Sequence, residues 1–225
     1  MQNDYLNAAQ ISTQAREQFK AIGDQLGAAQ CQQSLGNILR MQDRYEEARG
    51  QLEEAREQFR AIGNQLGAAQ CQRSLGDILQ MQARYEEARS QLEEAREQFR
   101  AIGNQLGAAQ CQRSLGNILR MQDRYEEARG QLEEAREQFR AIGDPLGAAQ
   151  CQQSLGNILQ MQARYEEARR QLDEAREQFR AIGNQLGAAQ CQQTLGDILQ
   201  MQARYEEARG QLEEARGQFR AILSG

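Results

Sequence analysis

The apolar residues of this chain recur at intervals of three and four, the spacing that places side chains on one face of an α-helix. The segment 45–62 carries one such stripe: Tyr45, Ala48, Leu52, Ala55, Phe59 and Ile62. The preceding segment 24–41 carries another: Ala28, Cys31, Leu35, Ile38 and Leu39. Each segment is therefore predicted to be an amphipathic helix. The one or two residues between them suffice only for an antiparallel hairpin.

This pair of helices, called A and B from here on, recurs along the chain with a period of forty residues. Residues 41–80 and 81–120 differ at only four of forty positions. A fixed period of this size is typical of a solenoid, in which each unit buries its apolar face against the next. We expect a single all-α array over residues 1–225, an α-solenoid of about eleven helices. Full units are expected to start near residues 24, 64, 104, 144 and 184.

Residues 1–23 are predicted to be a divergent half unit. Five residues are in register with helix B of the later units: Tyr5, Ala8, Ala15, Phe19 and Ile22. Ser12 stands where the later units have leucine, while Leu6 and Ile11 replace polar residues. This half unit is either a terminal cap of the array or simply the point at which the chain starts.

Residue types that favour helix ends stand at the predicted boundaries. Helix A is expected to follow an Asp or Asn whose side chain satisfies amides of the first turn: Asp24, Asn64, Asn104, Asp144 and Asn184. Pro145 follows one of them, where a helix tolerates proline. Gly63 is predicted to close helix B in a left-handed conformation. Asp43 and Glu46 are predicted to form a capping box at the start of helix B.

Three units have alanine in place of Asp43: Ala83, Ala163 and Ala203. If the capping box is correct, each loses an N-cap, at an expected cost of about 1 kcal/mol.

The composition of the chain argues against two classes of partner, nucleic acid and membrane. The formal net charge of −5 argues against nucleic acid as a partner, because nucleic acid favours a basic surface. No apolar run approaches the length of a membrane span, and the N-terminus lacks the basic and apolar regions of a signal peptide. We therefore expect a cytoplasmic protein with neither nucleic acid nor membrane as a partner.

The five cysteines occupy one equivalent position in successive units: Cys31, Cys71, Cys111, Cys151 and Cys191. They show neither the clustering nor the CxxC spacing of disulfide frameworks and metal sites. Neighbouring helices in a stack lie about 8–10 Å apart, too far for a disulfide between equivalent positions. We expect these cysteines to be small buried apolar residues, with no bound metal.

The order L-G-x-x-x-L in helix A and Y-x-x-A-x-x-x-L-x-x-A in helix B resembles the tetratricopeptide repeat. In one unit the matching residues are Leu75, Gly76, Leu79, Tyr85, Ala88, Leu92 and Ala95. The usual repeat has about 34 residues, and this longer form is similar to repeats of Pins-type spindle-orientation scaffolds and of fungal multidomain proteins. The resemblance covers essentially the whole chain and implies a right-handed superhelix. Two features differ, because Gln32 and its equivalents replace an aromatic residue near the start of helix A and no proline follows helix B.

The resemblance also implies that helix A lines the inner, concave wall and that peptide segments bind there. Carried over by position, this wall would consist of Gln30, Gln33, Asn37, Arg40 and their equivalents every forty residues. These residues lie on the side of helix A away from its leucines, so helix geometry indicates the same wall. The candidate peptide-binding residues are Asn37, Arg40, Arg73, Asp77, Arg113, Asn117, Arg120, Gln153, Asn157, Gln193 and Asp197.

Most differences between the units fall on this wall, and two interpretations stay open. Either exposed polar positions drift freely while packing positions cannot, or the wall residues tune a peptide site. On the second interpretation, four arginines make the first half of the wall basic: Arg40, Arg73, Arg113 and Arg120. There only Asp77 opposes them, so this half of the wall would favour an acidic peptide.

The resemblance extends only in part to the carboxylate clamp of the family. Arg113 and Asn117 match two of its positions, whereas Ser114 and Gln110 do not, so no clamp is expected. We hypothesise that acidic peptides bind with micromolar or weaker affinity and that combining Arg73→Glu with Arg113→Glu abolishes binding. Titration calorimetry that found the double variant unchanged would contradict this.

The chain offers no candidate catalytic residue. It has no histidine, and no serine or cysteine has a base at a suggestive spacing. Its glycines lie at helix ends or packing positions, and none follows a strand as a phosphate loop would. We therefore expect a non-enzymatic protein-interaction scaffold without a cofactor.

The alternative is a structural or self-assembling array with no ligand of its own, produced by recent duplication or by consensus design. In the last helix Gly217 replaces the usual glutamate, and Leu223 replaces the terminating glycine. If the apolar stripe of 205–222 reaches solvent, it could accept the first repeat of another copy. Such a head-to-tail contact makes a homo-oligomer that extends as a filament. Near-identical units also invite domain swapping.

Overall fold

The computed structural model describes the backbone of residues 2–224 and the side chains of residue 5 and residues 7–222. The side chains of Leu6 and Leu223 lie outside this description. Within it, eleven α-helices and no strands occur: α1 (Gln2–Ala21), α2 (Gln25–Met41), α3 (Tyr45–Ala61), α4 (Gln65–Met81), α5 (Tyr85–Ala101), α6 (Gln105–Met121), α7 (Tyr125–Ala141), α8 (Pro145–Met161), α9 (Tyr165–Ala181), α10 (Gln185–Met201) and α11 (Tyr205–Ser224). Even numbers are A helices and odd numbers are B helices. The predicted fold class, an all-α solenoid of helix hairpins, is confirmed.

The predicted starts of the A helices are confirmed by their cap hydrogen bonds. Asn64 accepts a hydrogen bond from the backbone N–H of Gly67 at 2.8 Å, so its side chain satisfies one free amide of the first turn. The equivalent Asp or Asn makes the same bond at the start of the other four A helices. Pro145 is the first residue of α8, as its missing N–H requires.

The predicted closure of helix B by Gly63 is also confirmed. Gly63 has a φ of +73°, in the left-handed region that glycine adopts without steric cost. Its N–H donates to the carbonyl of Arg60, and the next N–H, of Asn64, donates to the carbonyl of Phe59 at 2.8 Å. This pair of bonds is the Schellman motif, which satisfies carbonyls that the helix leaves without partners.

The predicted capping box at the start of helix B is wrong. Asp43 has a φ of +57° and ends helix A with the same motif that Gly63 makes for helix B. The N-cap of α3 is Arg44, whose side chain makes no capping bond. The Asp43 carboxylate instead accepts a hydrogen bond from the Tyr45 hydroxyl at 2.6 Å. The alanine replacements therefore lose no cap, but Ala83 is held at a φ of +56°, which is unfavourable for a residue with a Cβ.

The hydrophobic core is shared between successive units. One cluster joins Ala29 and Leu39 of α2, the stripe of α3 that includes Leu52 and Phe59, and residues of α4 such as Leu75. Phe59 is only 1% exposed between the two A helices. α3 is thus buried both by α2, the A helix of its own hairpin, and by α4, the A helix of the next. One hairpin alone would leave part of this apolar face uncovered.

The small residues of the L-G motif permit this close packing. A Cβ added to Gly76 would lie 2.7 Å from Cγ of Leu92, the leucine of the helix-B motif. Contacts that short do not occur between real carbon atoms, so any larger residue at Gly76 displaces the neighbouring helix. The match to the repeat motif therefore has a direct packing reason.

The helices group into two compact units, Met1–Ile118 and Leu119–Gly225, and the boundary falls in the last turn of α6. Within each unit, helices that are neighbours in sequence pack against one another. The prediction of small buried cysteines holds for Cys71, Cys111, Cys151 and Cys191, while Cys31 is half-buried. In the described part of the chain, no helix is both long and apolar enough to cross a membrane.

Candidate functional site

The A helices of each unit lie side by side and form a row. α2 contacts α4 in the first unit, and α8 contacts α10 in the second. The Gln33 side-chain amide donates to the side-chain oxygen of Gln70 at 3.3 Å, which joins α2 to α4 through their polar residues. We call the residues at positions 33, 37, 40 and their equivalents the helix-A face. All eleven predicted peptide-binding residues belong to the helix-A face, and ten of them are half-buried while Gln193 is exposed.

In the first unit, the helix-A face brings three arginines around one carboxylate. Arg40 lies on α2, Arg73 and Asp77 lie on α4, and Arg113 lies on α6, and the charges of all three arginines act on Asp77. The hydroxyl of Ser114, also on α6, donates to the Asp77 carboxylate at 3.3 Å. We call these five residues the arginine cluster. Sequence reasoning identified its charged members, and the structure adds Ser114.

Opposing effects act on the protonation of Asp77. Burial raises the pKa of its carboxyl above the ordinary value, because a charged carboxylate loses hydration there. Arg73 and Arg40, then the Ser114 hydroxyl and Arg113, act in the opposite direction, and burial remains the larger effect. With three guanidinium groups and one carboxylate, the cluster keeps an excess of positive charge even when Asp77 is ionised.

Some polar atoms of the helix-A face are buried without a hydrogen-bond partner. They include Nε of Arg40, Nε of Arg73 and the side-chain oxygen of Asn117. A buried donor or acceptor left unpaired costs about 1–3 kcal/mol, so such atoms call for a reason beyond stability. Asn37, at the same position of α2, is half-buried.

The second unit has a less charged helix-A face. Arg120, in the last turn of α6, Gln153 and Asn157 are half-buried, and Gln193 is exposed. The side-chain oxygen of Asn157 is buried without a hydrogen-bond partner. Asp197 occupies the position of Asp77, and burial alone raises the pKa of its carboxyl. The structure therefore places an arginine cluster around Asp77 and none of its kind around Asp197.

Sequence reasoning missed a buried hydrogen-bond network between successive hairpins. Gln72 is 1% exposed, and its side-chain oxygen accepts from Nη1 of Arg56 at 2.8 Å. Its amide nitrogen donates to the side-chain oxygens of Gln91 at 2.7 Å and Glu94 at 2.8 Å. We call this network the glutamine bridge. Its central glutamine stands at the position near the start of helix A where glutamine replaces an aromatic residue of the repeat motif.

The glutamine bridge recurs along the chain, and the sequence holds a signal for it. Arginine donates to the equivalent glutamine in the other hairpins as well. Gln32 and its equivalents fall on the apolar face of helix A, three residues before a leucine, in every unit. A polar residue repeated at a core position is a sign of a buried polar network, because it must find partners there.

Two similar clefts lie away from the helix-A face. One cleft of about 420 Å³ opens at the ends of α1 and α3 and is lined by residues that include Lys20, Ala28 and Ile62. A similar cleft of about 410 Å³ recurs one unit later, beside Arg60 and Ile102. Among the residues that the structure describes, no three His, Cys, Asp or Glu side chains are arranged to hold a metal ion.

Comparison with solved structures shows the same fold in proteins of low sequence identity. The Rap conjugation gene regulator of the plasmid pLS20, in complex with the Phr* peptide, has a TM-score of 0.78 and 19% identity, over 90% of this chain and 56% of that one. This chain thus spans about half the length of that regulator. A Rap protein complexed with Competence and Sporulation Factor has a TM-score of 0.77 and 15% identity, over 99% of this chain and 67% of that one.

A third similar structure is also built from closely related repeats. It contains the nearly identical TPR-like repeats of a putative kinesin light chain from Podosopora anserina, with a TM-score of 0.65 and 16% identity. The match covers 87% of this chain and 96% of that one. Comparison with the curated proteins gives no significant match.

Family models extend the likeness from fold to sequence. One model described as tetratricopeptide repeat matches residues 65–141 and 146–221. A second model with the same description matches residues 28–57. Together they cover most of the chain, including the hairpins that carry the L-G motif and the glutamine bridge. The chain belongs to the tetratricopeptide repeat family.

Proposed function

We propose that this chain is a non-enzymatic protein-interaction scaffold that binds acidic peptide segments at the arginine cluster, in the first-unit part of its helix-A face. The observation that carries the proposal is the arginine cluster of the first unit. The charges of its three guanidinium groups act on a single carboxylate, so positive charge is in excess there. A peptide carboxylate would provide charge-assisted hydrogen bonds to such groups, which are stronger than those between neutral partners. The cytoplasm remains the expected compartment on sequence grounds.

Two further observations support a peptide as the ligand. The side-chain oxygen of Asn117 is buried without a partner, and it would accept a hydrogen bond from a peptide N–H group once the side chains that cover it move. One Rap protein with the same fold was solved in complex with the Phr* peptide, and another in complex with Competence and Sporulation Factor. An extended peptide on a row of helices presents backbone donors and side-chain carboxylates together, which matches the chemistry of this face.

The direct test is the affinity of a fluorescein-labelled glutamate homopeptide, compared with a glutamine homopeptide of equal length. We expect fluorescence anisotropy to show binding of the glutamate peptide and a loss of about tenfold or more on combining Arg73→Gln with Arg113→Gln. Glutamine stands naturally at the same position in Gln33, Gln153 and Gln193, so the double variant is expected to fold.

A charge-matched control separates a site from general attraction. Combining Arg49→Gln with Arg89→Gln removes the same charge from the outer surface of the B helices, where both arginines pair with nearby glutamates. We expect this control to bind the glutamate peptide nearly as well as the unmodified chain. Equal losses in the two double variants, or equal binding of the glutamate and glutamine peptides, would contradict the proposal.

A second candidate function is self-association through the end helices. Tyr205 of α11 is 68% exposed, and Ile22, just after α1, is 75% exposed. Phe219 of α11 is half-buried, whereas the equivalent Phe59 is 1% exposed because an A helix covers it on each side. Apolar side chains left exposed in this way favour contact with a second copy.

Light scattering across a concentration series tests this second candidate. We expect the mean mass to rise with concentration and the rise to be reduced by combining Ile22→Gln with Tyr205→Gln. Met81→Gln is the control, because Met81 is 63% exposed but lies in the middle of the chain. A constant monomer mass at high micromolar concentration would eliminate self-association.

A further inference from the structure

The helix-A position of Asp77 alternates between an amide and a carboxylate along the chain. It is Asn37, Asn117 and Asn157 in three units, and Asp77 and Asp197 in the other two. Asparagine and aspartate have nearly the same shape, so packing does not explain the choice between them. The difference is charge, and the two aspartates have different surroundings.

Asp77 lies among the positive charges that the proposed function assigns to a ligand. The charges of Arg40, Arg73 and Arg113, on three successive A helices, act on it, and Ser114 donates a hydrogen bond to it at 3.3 Å. A carboxylate in this place is attracted to the guanidinium groups by the same electrostatic force as a ligand carboxylate would be. The half-buried location strengthens these interactions, because water screens them less.

This inference rests on the proposed function and concerns the control of the same site. We propose that Asp77 is the specificity-determining residue of the helix-A face, an internal carboxylate that competes with the carboxylates of an acidic peptide for the arginine cluster. Asp77 therefore weakens the binding of acidic ligands while it is ionised and ceases to compete once it is protonated. The other aspartate at this position, Asp197, has no such effect.

The groups that face Asp77 make it the member of the cluster that responds to acid. Arg40 on α2, Arg73 on α4 and Arg113 on α6 stay protonated at all ordinary pH values. Ser114 does not titrate. The nearby thiol of Cys111 stays neutral, since burial raises its pKa to about 12. A change in the charge of the cluster between neutral and acidic pH is therefore a change at Asp77.

The first experiment compares Asp77→Asn with Asp197→Asn at neutral pH, using the labelled glutamate homopeptide. Asparagine is already present at the equivalent position of three units, so both variants are expected to fold, and circular dichroism checks this. We expect Asp77→Asn to bind about tenfold more tightly, because a like charge next to the ligand is removed. Asp197→Asn removes the same formal charge and should leave the affinity within about twofold.

The second experiment measures the pH dependence with a probe whose own charge is constant. A homopeptide of cysteic acid carries sulfonate groups, which stay ionised where glutamate would become protonated. We expect its affinity for the unmodified chain to increase as the pH falls, since Asp77 takes up a proton. The same series with Asp77→Asn should show a smaller increase, due only to protonation of the other carboxylates, while Asp197→Asn should keep the dependence of the unmodified chain.

The outcomes separate this inference from the proposed function. If Arg73→Gln with Arg113→Gln weakens binding but Asp77→Asn does not strengthen it, the site stands and the role of Asp77 is wrong. If Asp197→Asn strengthens binding as much as Asp77→Asn, net charge explains the effect and the inference is also wrong. If no acidic peptide binds to any variant, the proposed function and the inference fail together.

Discussion

The left-handed residue after each A helix allows a sharp test of how the hairpins are closed. Ala83 occupies it with a φ of +56°, and two further alanines have the same conformation. An L-residue in this region costs roughly 1–2 kcal/mol, because its Cβ approaches the following carbonyl oxygen. Glycine avoids that cost. Its greater freedom in the unfolded chain, however, destabilises the folded state by about 0.4–1 kcal/mol. The net expectation for Ala83→Gly is a stabilisation of about 1 kcal/mol.

Threonine at the same position separates this geometry from the capping box that the sequence suggested. Threonine is a favourable N-cap, so a capping box predicts that Ala83→Thr stabilises by about 1 kcal/mol. A β-branched residue is strongly disfavoured at positive φ, so the structure predicts that Ala83→Thr destabilises by at least about 1 kcal/mol. The two explanations thus predict stability changes of opposite sign for Ala83→Thr.

Urea denaturation followed by circular dichroism measures both variants. Arrays of repeats need not unfold in two states, so the quantity compared is the shift of the midpoint at constant slope. Ala101→Gly is the matched control: Ala101 is the exposed last residue of α5, and glycine in a helix costs about 0.5–1 kcal/mol there. A stabilising Ala83→Thr, or an Ala83→Gly that destabilises as Ala101→Gly does, would refute the left-handed assignment.

Three further predictions concern packing, cysteine reactivity and pH. Gly76→Ala should lower stability by about 1–3 kcal/mol, because the added Cβ meets Leu92. Gly50→Ala should raise stability by up to about 1 kcal/mol, because its added Cβ meets no atom within 4 Å. Equal unfolding midpoints of the two variants in urea would contradict this. Cys31 should react with a thiol reagent in the folded chain, whereas Cys71, with its pKa raised to about 12, should react only after unfolding. The raised pKa of Asp77 predicts that Asp77→Asn stabilises the fold at neutral pH, because burying the ionised carboxylate is costly. This gain should disappear as the pH falls below the ordinary aspartate pKa of 3.8, because Asp77 is then protonated in both the folded and the unfolded chain. A gain independent of pH in thermal melts would contradict that assignment.

Local chemistry accounts for the parts of the fold that the sequence predicted. The N-cap residues, Pro145 and Gly63 act within one turn of the chain, so each marks a helix end without reference to other helices. The apolar stripes have a period that only a helix can satisfy, and their repetition implies that each helix packs against the next. Helix bounds and pairing therefore follow from the sequence.

The conformation of Asp43 shows where such reasoning fails. Aspartate is favourable both as an N-cap and, compared with most residues, in the left-handed region, so the residue type alone does not choose between them. The choice depends on which carbonyls need partners. The N–H of Arg44 donates to the carbonyl of Leu39 at 3.0 Å, which closes helix A and requires the left-handed conformation at Asp43.

The surroundings of Asp77 could be predicted only in part. Its position on the helix-A face follows from the forty-residue period, and so do those of Arg40, Arg73 and Arg113. The hydrogen bond from Ser114 depends on the offset between α4 and α6, which the sequence does not specify. The same holds for burial, and burial is the largest influence on the pKa of Asp77.

The glutamine bridge gives a structural role to charged residues of helix B. Arg56 of α3 and Glu94 of α5 both bind the buried Gln72. Apolar stripes of near-identical helices fit one another in more than one offset, because a shift by one turn places similar side chains together. Such a shift would leave Gln72 buried without its partners, at a cost of about 1–3 kcal/mol per unpaired group. The bridge thus gives each interface a specificity that its apolar residues lack, which is a known use of buried polar groups.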